Sequence, residues 1–258
     1  MTYEKILGIA MEQSAIDMSC KPEDFCSDRN KTVISKPDPY ARKYLELPFF
    51  CHIASYGSNA VVSSSEEFAP FAERYIEKHG AVRSFETPSI HELDAELQKY
   101  GHRVCFMAEY YLPVPELVAP LECGLELRVM NKRDFERYYL PEFGNAICAE
   151  HSERDVIAVG AFDGDTLAGL AGASADCESM WQIGVDVLPE YRRRGIASAV
   201  TSGLALEIMN LDRIPFYCAA WSNVRSARNA LKSGFRPAWV ELTAKTEDYV
   251  KKLNGDDS

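Results

Sequence analysis

The 258-residue chain contains no run approaching the roughly 18 apolar residues that a membrane helix requires. Its first seven residues also lack the basic flank and long apolar stretch of a secretory leader. Together these absences predict a cytoplasmic protein with no membrane partner. The eight cysteines, at 20, 26, 51, 105, 123, 148, 177 and 218, include no C-x-x-C and have no histidine at ligand spacing. That scatter argues against zinc and predicts reduced thiols and no metal. Histidine is scarce, and His52, His91, His102 and His151 have no evident serine or cysteine partner, which argues against a nucleophilic dyad or triad.

Basic residues are outnumbered, 28 Lys and Arg against 39 Asp and Glu, for a net charge of −11. Residues 1–120 hold 12 basic and 18 acidic side chains, so the deficit is spread over both halves rather than gathered in a tail. Such a field disfavours nucleic acid and anionic surfaces and favours a cationic partner such as an amine. A hydrophobic fraction of 47% is ordinary for a globular protein and allows one large domain or two small ones.

The periodicity predicts alternating helices and short strands. Helices are expected over 3–18, after Lys21–Pro22, over 66–79 and from Thr87 to Tyr100. Strands are expected over 48–53, 59–62 and 103–108. Pro113, Pro115 and Pro120 mark the best linker, which places a boundary between residues 118 and 119. Beyond it come a strand over 125–129, a helix from about Arg133, and two apolar runs flanking Asp163–Gly164–Asp165, a hairpin signal. A strand leading to Val187, a helix over 196–211, a strand over 215–221, a helix over 223–233 and a strand over 239–242 complete a mixed α/β sheet. Trp181, Trp221 and Trp239 are read as lying on three neighbouring strands, packed in the core. One pattern repeats: Lys99-x-Gly101-x-Arg103 and Lys232-x-Gly234-x-Arg236 each end a helix and enter an apolar strand. A common helix stop explains this, and so does a diverged duplication.

The stretch over 181–198 organises the chemistry. A buried strand through Val185 and Val187 exits at Pro189, passes the basic turn Arg192–Arg193–Arg194–Gly195 and opens a helix at Ile196–Ala197–Ser198. Unpaired N–H groups and the helix dipole make such a turn a ready anion site. Arg192, Gly195 and Ala197 fit R/Q-x-x-G-x-G/A, and Asn223, Ser226 and Gly234–Phe235 follow in the next unit. Over about residues 124–243 this pattern resembles the GCN5-related N-acetyltransferases (GNAT). The whole chain is similar to a clostridial-type, two-part group within that superfamily.

The resemblance implies a mixed, mostly antiparallel GNAT sheet flanked by helices over residues 119–258. It would be preceded by an α/β region, 1–118, readable as a degenerate GNAT-like half. It implies acetyl-CoA as cosubstrate, its pyrophosphate cradled by N–H groups of residues 193–198. Gly195 lets phosphate approach the backbone, and Ala197 keeps the first helical turn uncrowded. Arg193 and Arg194 are candidates for the 3′-phosphate or are solvated surface charges. The backbone at Val185 and Val187 would pair with the pantetheine and polarise the thioester carbonyl. Asn223 reaches the pantetheine, caps its helix, or does both, and Ser226 is a further cofactor contact. The family's frequent general acid is a tyrosine where this chain has Ala230. Glu178 and Asp186 are the candidate bases, each also readable as a structural or surface carboxylate, and Tyr217 and Cys218 are alternative donors.

These readings predict an N-acetyltransferase moving an acetyl group directly to a small amine, with residues 1–118 completing the acceptor site. The alternatives are a non-catalytic CoA-binding sensor and an N-terminal half that serves as a homodimer interface.

Overall fold

The computed structural model describes residues 1–255. In chain order its regular elements are α1 (Tyr3–Met18), β1 (Lys31–Ile34), β2 (Cys51–Ser55), β3 (Val61–Ser64), α2 (Ala69–Arg83), α3 (Thr87–Gln98), β4 (His102–Pro113), β5 (Glu126–Asn131), α4 (Lys132–Phe135), β6 (Asp155–Asp163), β7 (Thr166–Ser174), β8 (Met180–Val187), α5 (Ile196–Asn210), β9 (Ile214–Ala220), α6 (Val224–Lys232), β10 (Phe235–Thr246) and α7 (Glu247–Asn254). They form a mixed α/β fold with a mostly antiparallel sheet flanked by helices. No described helix is long and apolar enough to cross a membrane.

The elements group into two compact units. One comprises Met1–Ile9 and Tyr110–Pro237; the other comprises Ala10–Glu109 and the chain from Ala238 onward. These are not the consecutive parts 1–118 and 119–258, because α1, β4 and β10 each begin in one unit and end in the other. The prolines read as a linker mislead for a physical reason. Tyr110, Tyr111 and Leu112 are buried apolar residues that carry β4 on to Pro113, and the Val114 N–H then donates to Gly234 O at 3.0 Å.

In the first unit, β5 to β8 pair antiparallel in sequence order, and β8 then pairs parallel to β9. The helix α5 presents Ile196, Val200, Leu204 and Ile208 to a core that includes Val159, Ala161, Ala171, Ala173 and Ile183 of the strands. The helix expected from Arg133 stops after one turn. Asn131 caps its start by accepting from the Arg133 N–H at 3.0 Å, but Leu140–Pro141 cannot continue it. Three one-turn 3-10 helices follow, Glu136–Tyr138, Pro141–Phe143 and Ala149–His151, forming a strap rather than a helix.

In the second unit, β2 pairs antiparallel with both β3 and β10, and β1 lies parallel to β3. One core gathers Ile53, Val62, Phe68, Tyr75, Ile76, Leu93, Leu97 and Leu242 from these strands and from α2 and α3. Sequence reading omits β1, whose four residues are too short to show a period. It also omits α7, which Thr246 caps by accepting from the Tyr249 N–H at 3.3 Å. Trp239 lies in this unit on β10, and Trp221 lies just past β9 at 46% exposure, so the three tryptophans do not share neighbouring strands.

A buried ionic network also sits in this unit. The Arg42 guanidinium, 2% exposed, lies 3.2 Å from Asp17 Oδ2 and 3.5 Å from Glu241 Oε1. Glu241 Oε1 also accepts from the Trp239 indole at 2.7 Å, and Oε2 lies 3.6 Å from His52 Nε2. Burial raises the Asp17 carboxyl despite Arg42, and burial lowers His52.

The repeated K-x-G-x-R pattern ends α3 and α6 alike, but its two arginines differ. Arg103 binds both carboxylate oxygens of Asp94 at 2.8–3.1 Å, while Arg236 donates to the carbonyls of Leu231 and Phe235. Burial works to raise the Asp94 carboxyl; the bonds from Arg103 and the Val104 N–H outweigh it and hold the pKa below the ordinary value. A depressed folded pKa contributes stability above the unfolded value of about 3.9 that is lost as pH falls through the folded one. Asp94→Asn is expected to cost about 1 kcal/mol at pH 7 in urea unfolding and to make the acid limb below about pH 4 shallower. An unchanged limb would show that this pair does not set it.

Candidate functional site

The site starts from where two parallel strands part. Met180, Trp181 and Gln182 of β8 pair with Ile214, Pro215 and Phe216 of β9, and the pairing ends there. Both strands run on, β8 to Val187 and β9 to Ala220, leaving the facing edges without a ladder. Such an edge can take an extended ligand as it would take another strand.

At the end of β8 the chain turns sharply into α5. Arg193 and Gly195 both have positive φ, 64° and 83°. This alternation turns successive N–H groups toward one concavity, a nest for an anion. Gly195 is the N-cap of α5, and the first helical N–H to bond back is that of Ala199, to Gly195 O at 3.1 Å. The N–H groups of Ile196, Ala197 and Ser198 belong to the set that a helix leaves without intrahelical partners. A Cβ on Gly195 would meet nothing closer than Lys232 Nζ at 3.8 Å, so there is room beside this backbone. Side chains fix the turn: Arg192 Nε donates to Val187 O at 3.1 Å, Tyr191 hydrogen-bonds Asp163 at 3.1 Å, and Ser198 Oγ donates to Gly195 O at 3.0 Å.

This turn opens into a cleft of about 900 Å³ walled by Val187, by residues 189–193 and 195–198, and by one face of α6. Arg192, Arg193, Arg225, Arg228 and Lys232 contribute five cations, against the single carboxylate of Glu190. In a chain of net charge −11 this concentrates positive charge. Of the residues expected to hold a cofactor, Val187, Arg192, Arg193, Gly195, Ile196, Ala197 and Ser198 line the cleft. Arg194 is not among the lining residues; its guanidinium lies over the Tyr191 ring at 5.3 Å. Val185 lies on the stretch of β8 beyond its pairing with β9, with its side chain packed against the core. Asn223 caps α6 by accepting from the Ser226 N–H at 3.1 Å, and the Ser226 hydroxyl is hydrogen-bonded to Tyr217 at 2.7 Å. Arg225, Arg228, Asn229 and Lys232 were not expected. Their spacing along α6 puts them on one helix face, and that spacing is the signal that could have found them.

The candidate bases lie elsewhere than the open edge. Glu178 is exposed in the β7–β8 loop, beyond the paired end of the strands. The Asp186 carboxylate accepts three hydrogen bonds at 2.8–2.9 Å, from the backbone N–H groups of Asn145 and Ala146 and the Asn145 amide. That set of donors ties the strap to β8. Gly172 and Gly184, opposite each other in the β7–β8 register, make the space: a Cβ on them would come within 2.1 Å of Ala146 O and 1.8 Å of Asn145 O. Tyr217 follows the last paired residue of β9; burial raises its phenol, so it is protonated at neutral pH. Cys218 Sγ accepts from Gln182 Nε2 at 3.1 Å. Ala230 is fully buried in the core of this unit.

Residues 125–235 match the model of the acetyltransferase (GNAT) family. No curated protein matches the chain. Among solved structures it is similar to a GCN5-related N-acetyltransferase-like protein from Streptococcus suis, with 19% identity over 60% of this chain and 67% of that one, at a TM-score of 0.44. A GCN5-related N-acetyltransferase from Kribbella flavida gives 15% identity over 60% and 63%, at 0.46. A tandem GNAT protein from the clavulanic acid biosynthesis pathway gives 14% over 59% and 57%, at 0.44. The chain thus spans about two thirds or less of these three proteins. The strand, turn and helix that form the cleft all fall inside residues 125–235, the segment that matches the acetyltransferase (GNAT) family model.

Proposed function

We propose that the protein is an acetyl-CoA-dependent N-acetyltransferase acting on a primary amine of a small acceptor. The observation that carries this reading is the continuity of three features: the unpaired β8 edge, the nest at Arg193–Ser198 and the cationic cleft. A cofactor with a pyrophosphate at one end and an extended amide-bearing arm at the other fits that sequence of environments. The N–H groups of residues 193–198 would hold the pyrophosphate, and the β8 edge at Val185–Val187 would hold the arm. Bound there, acetyl-CoA supplies an activated acyl group.

The residues also constrain the proton chemistry. An amine of pKa about 10.4 costs about 4–5 kcal/mol to deprotonate at pH 7. Asp186 is already engaged by three donors, and Glu178 is away from the open edge. We therefore infer that the acceptor reacts from its neutral form, its proton leaving to water. The protonated Tyr217 phenol, beside the strand opening, is the candidate donor to the departing thiolate in place of the tyrosine that Ala230 lacks.

Thiol release from acetyl-CoA over an amine panel tests the reading. The expected result is turnover whose kcat/KM rises with pH toward the pKa of each amine. Cofactor binding without turnover on any amine would leave the second reading, a CoA-binding sensor, which Ala230 and the occupied Asp186 favour. Gly195→Asp tests the cradle itself. Aspartate tolerates the left-handed backbone, so the fold is kept while a carboxylate faces the phosphates. Acetyl-CoA affinity should fall by about a hundredfold or more; a loss under about threefold would remove the cradle from the account.

A further inference from the structure

The strand β5 forms an outer edge of its sheet. Among the described residues it pairs only with β6, so its other side carries backbone N–H and C=O groups outside the ladder. Such an edge is a template for another strand, and proteins ordinarily blunt it with prolines, bulges or covering elements. β5 has none of these. Its six residues contain no proline, pair with β6 without a register shift, and are exposed except for Met130. Its apolar side chains are uncovered as well. Leu127 and Val129 lie opposite Ala161 and Val159 of β6, which are buried in the core that α5 makes. One strand further out, Leu127 is 37% exposed and Val129 56%.

The order of residues fits this edge to a copy of itself. A symmetric antiparallel pair of identical strands needs a two-fold axis perpendicular to the sheet. Side chains alternate between faces, so such an axis must pass through a residue and not between two. Centring it on Glu126 opposes two glutamates, and centring it on Arg128 opposes two arginines. Centring it on Leu127 sets each Glu126 against the other copy's Arg128, Leu127 against Leu127, and Leu125 against Val129. Only this register opposes unlike charges, and it also gathers the exposed apolar side chains on one face. Within one chain Arg128 already forks onto Glu126 at 2.6–2.9 Å, so both side chains share the other face.

We propose that β5 is a homodimer interface: two chains join edge to edge about Leu127, and the sheet continues from one copy into the other. The interface then lies in the unit that holds the cleft, and not in residues 1–118. Backbone pairing supplies the affinity, and the alternating Glu126 and Arg128 charges fix the register and the partner. An edge of six residues is a small interface, which sets the dissociation constant at about 1–50 μM.

Sedimentation equilibrium of the full chain from about 1 to 200 μM tests this with charge variants. Wild type should show a monomer–dimer equilibrium. Glu126→Arg sets an arginine against Arg128, and Arg128→Glu sets a glutamate against Glu126. Each alone should weaken the dimer by about tenfold or more. The two variants carry opposite charges at the same two positions, so an equimolar mixture should regain a dimer close to wild type in strength. The double variant Glu126→Arg/Arg128→Glu should regain it without mixing. Both side chains are exposed and their pair within one chain adds little to folding, so every variant is expected to fold, and its thermal midpoint checks that. A wild type that stays monomeric up to about 200 μM would overturn the interface. So would a dimer that both single variants leave unchanged, or a mixture that remains as weak as its components.

Discussion

Arg42→Met is expected to destabilise the protein by about 3–5 kcal/mol, the largest effect of any single substitution considered. The guanidinium is buried between Asp17 and Glu241, and its removal leaves two buried carboxylates without their cation. Asp17 keeps the Gln13 amide and the backbone N–H of residue 42, and Glu241 keeps the Trp239 indole, so local hydrogen bonds remain while the charge is uncompensated. The sign of the pH dependence follows. Arg42 holds down the Asp17 carboxyl that burial raises, so without the arginine Asp17 is raised further above its unfolded value and the variant regains stability relative to wild type as pH falls toward 5. Urea unfolding at pH 7 and pH 5 measures both effects. Adding Asp17→Asn and Glu241→Gln to Arg42→Met should recover much of the loss, since a neutral buried set lacks the unpaired charge. A cost below about 1 kcal/mol for the single variant would mean that water reaches these carboxylates.

Gly184→Ala is expected to be nearly as severe, about 3 kcal/mol or more. The added methyl would lie 1.8 Å from Asn145 O, a backbone atom that no rotamer change can move aside. Gly172→Ala meets the same strap, 2.1 Å from Ala146 O, and should behave alike. Relief requires lifting residues 145–146, which breaks the three hydrogen bonds to Asp186. Faster amide exchange at Asn145 and Ala146, together with a lower urea midpoint, would show that route. Gly203→Ala is the contrast: its methyl would approach Val159 Cγ1 at 3.6 Å, ordinary contact inside α5, and its effect should be neutral or slightly stabilising. If Gly184→Ala costs no more than Gly203→Ala, the strap does not press on β8.

The strand, turn and helix over 181–198 are legible in sequence because each part carries a local mark: an apolar run, Pro189, then Gly195 before a helical period. The cations of α6 are harder to read. Arg225, Arg228 and Lys232 look like a solvated face until the fold turns that face onto the turn after β8. Asp186 could be read as a base or as a structural acceptor. The choice depended on Asn145, 41 residues away, which periodicity cannot bring near. Gly172 and Gly184 read as weak strand residues, yet their missing side chains are what admit the strap. Arg42 and Glu241 are 199 positions apart, and charged residues are ordinarily assigned to the surface, so their burial leaves no sequence mark. The limits of β4 and β10 were lost for a related reason. Pro113 and the short apolar run over 239–242 suggested breaks, whereas each strand extends over 12 residues and passes from one unit to the other.

The central claim is that the turn after β8 and the face of α6 bind acetyl-CoA. Titration calorimetry of the wild-type chain with acetyl-CoA tests it most directly. The account predicts one site per chain with a Kd of about 1–100 μM, weakened by added salt as a five-cation cleft requires. An absence of binding up to about 1 mM at low ionic strength would contradict it.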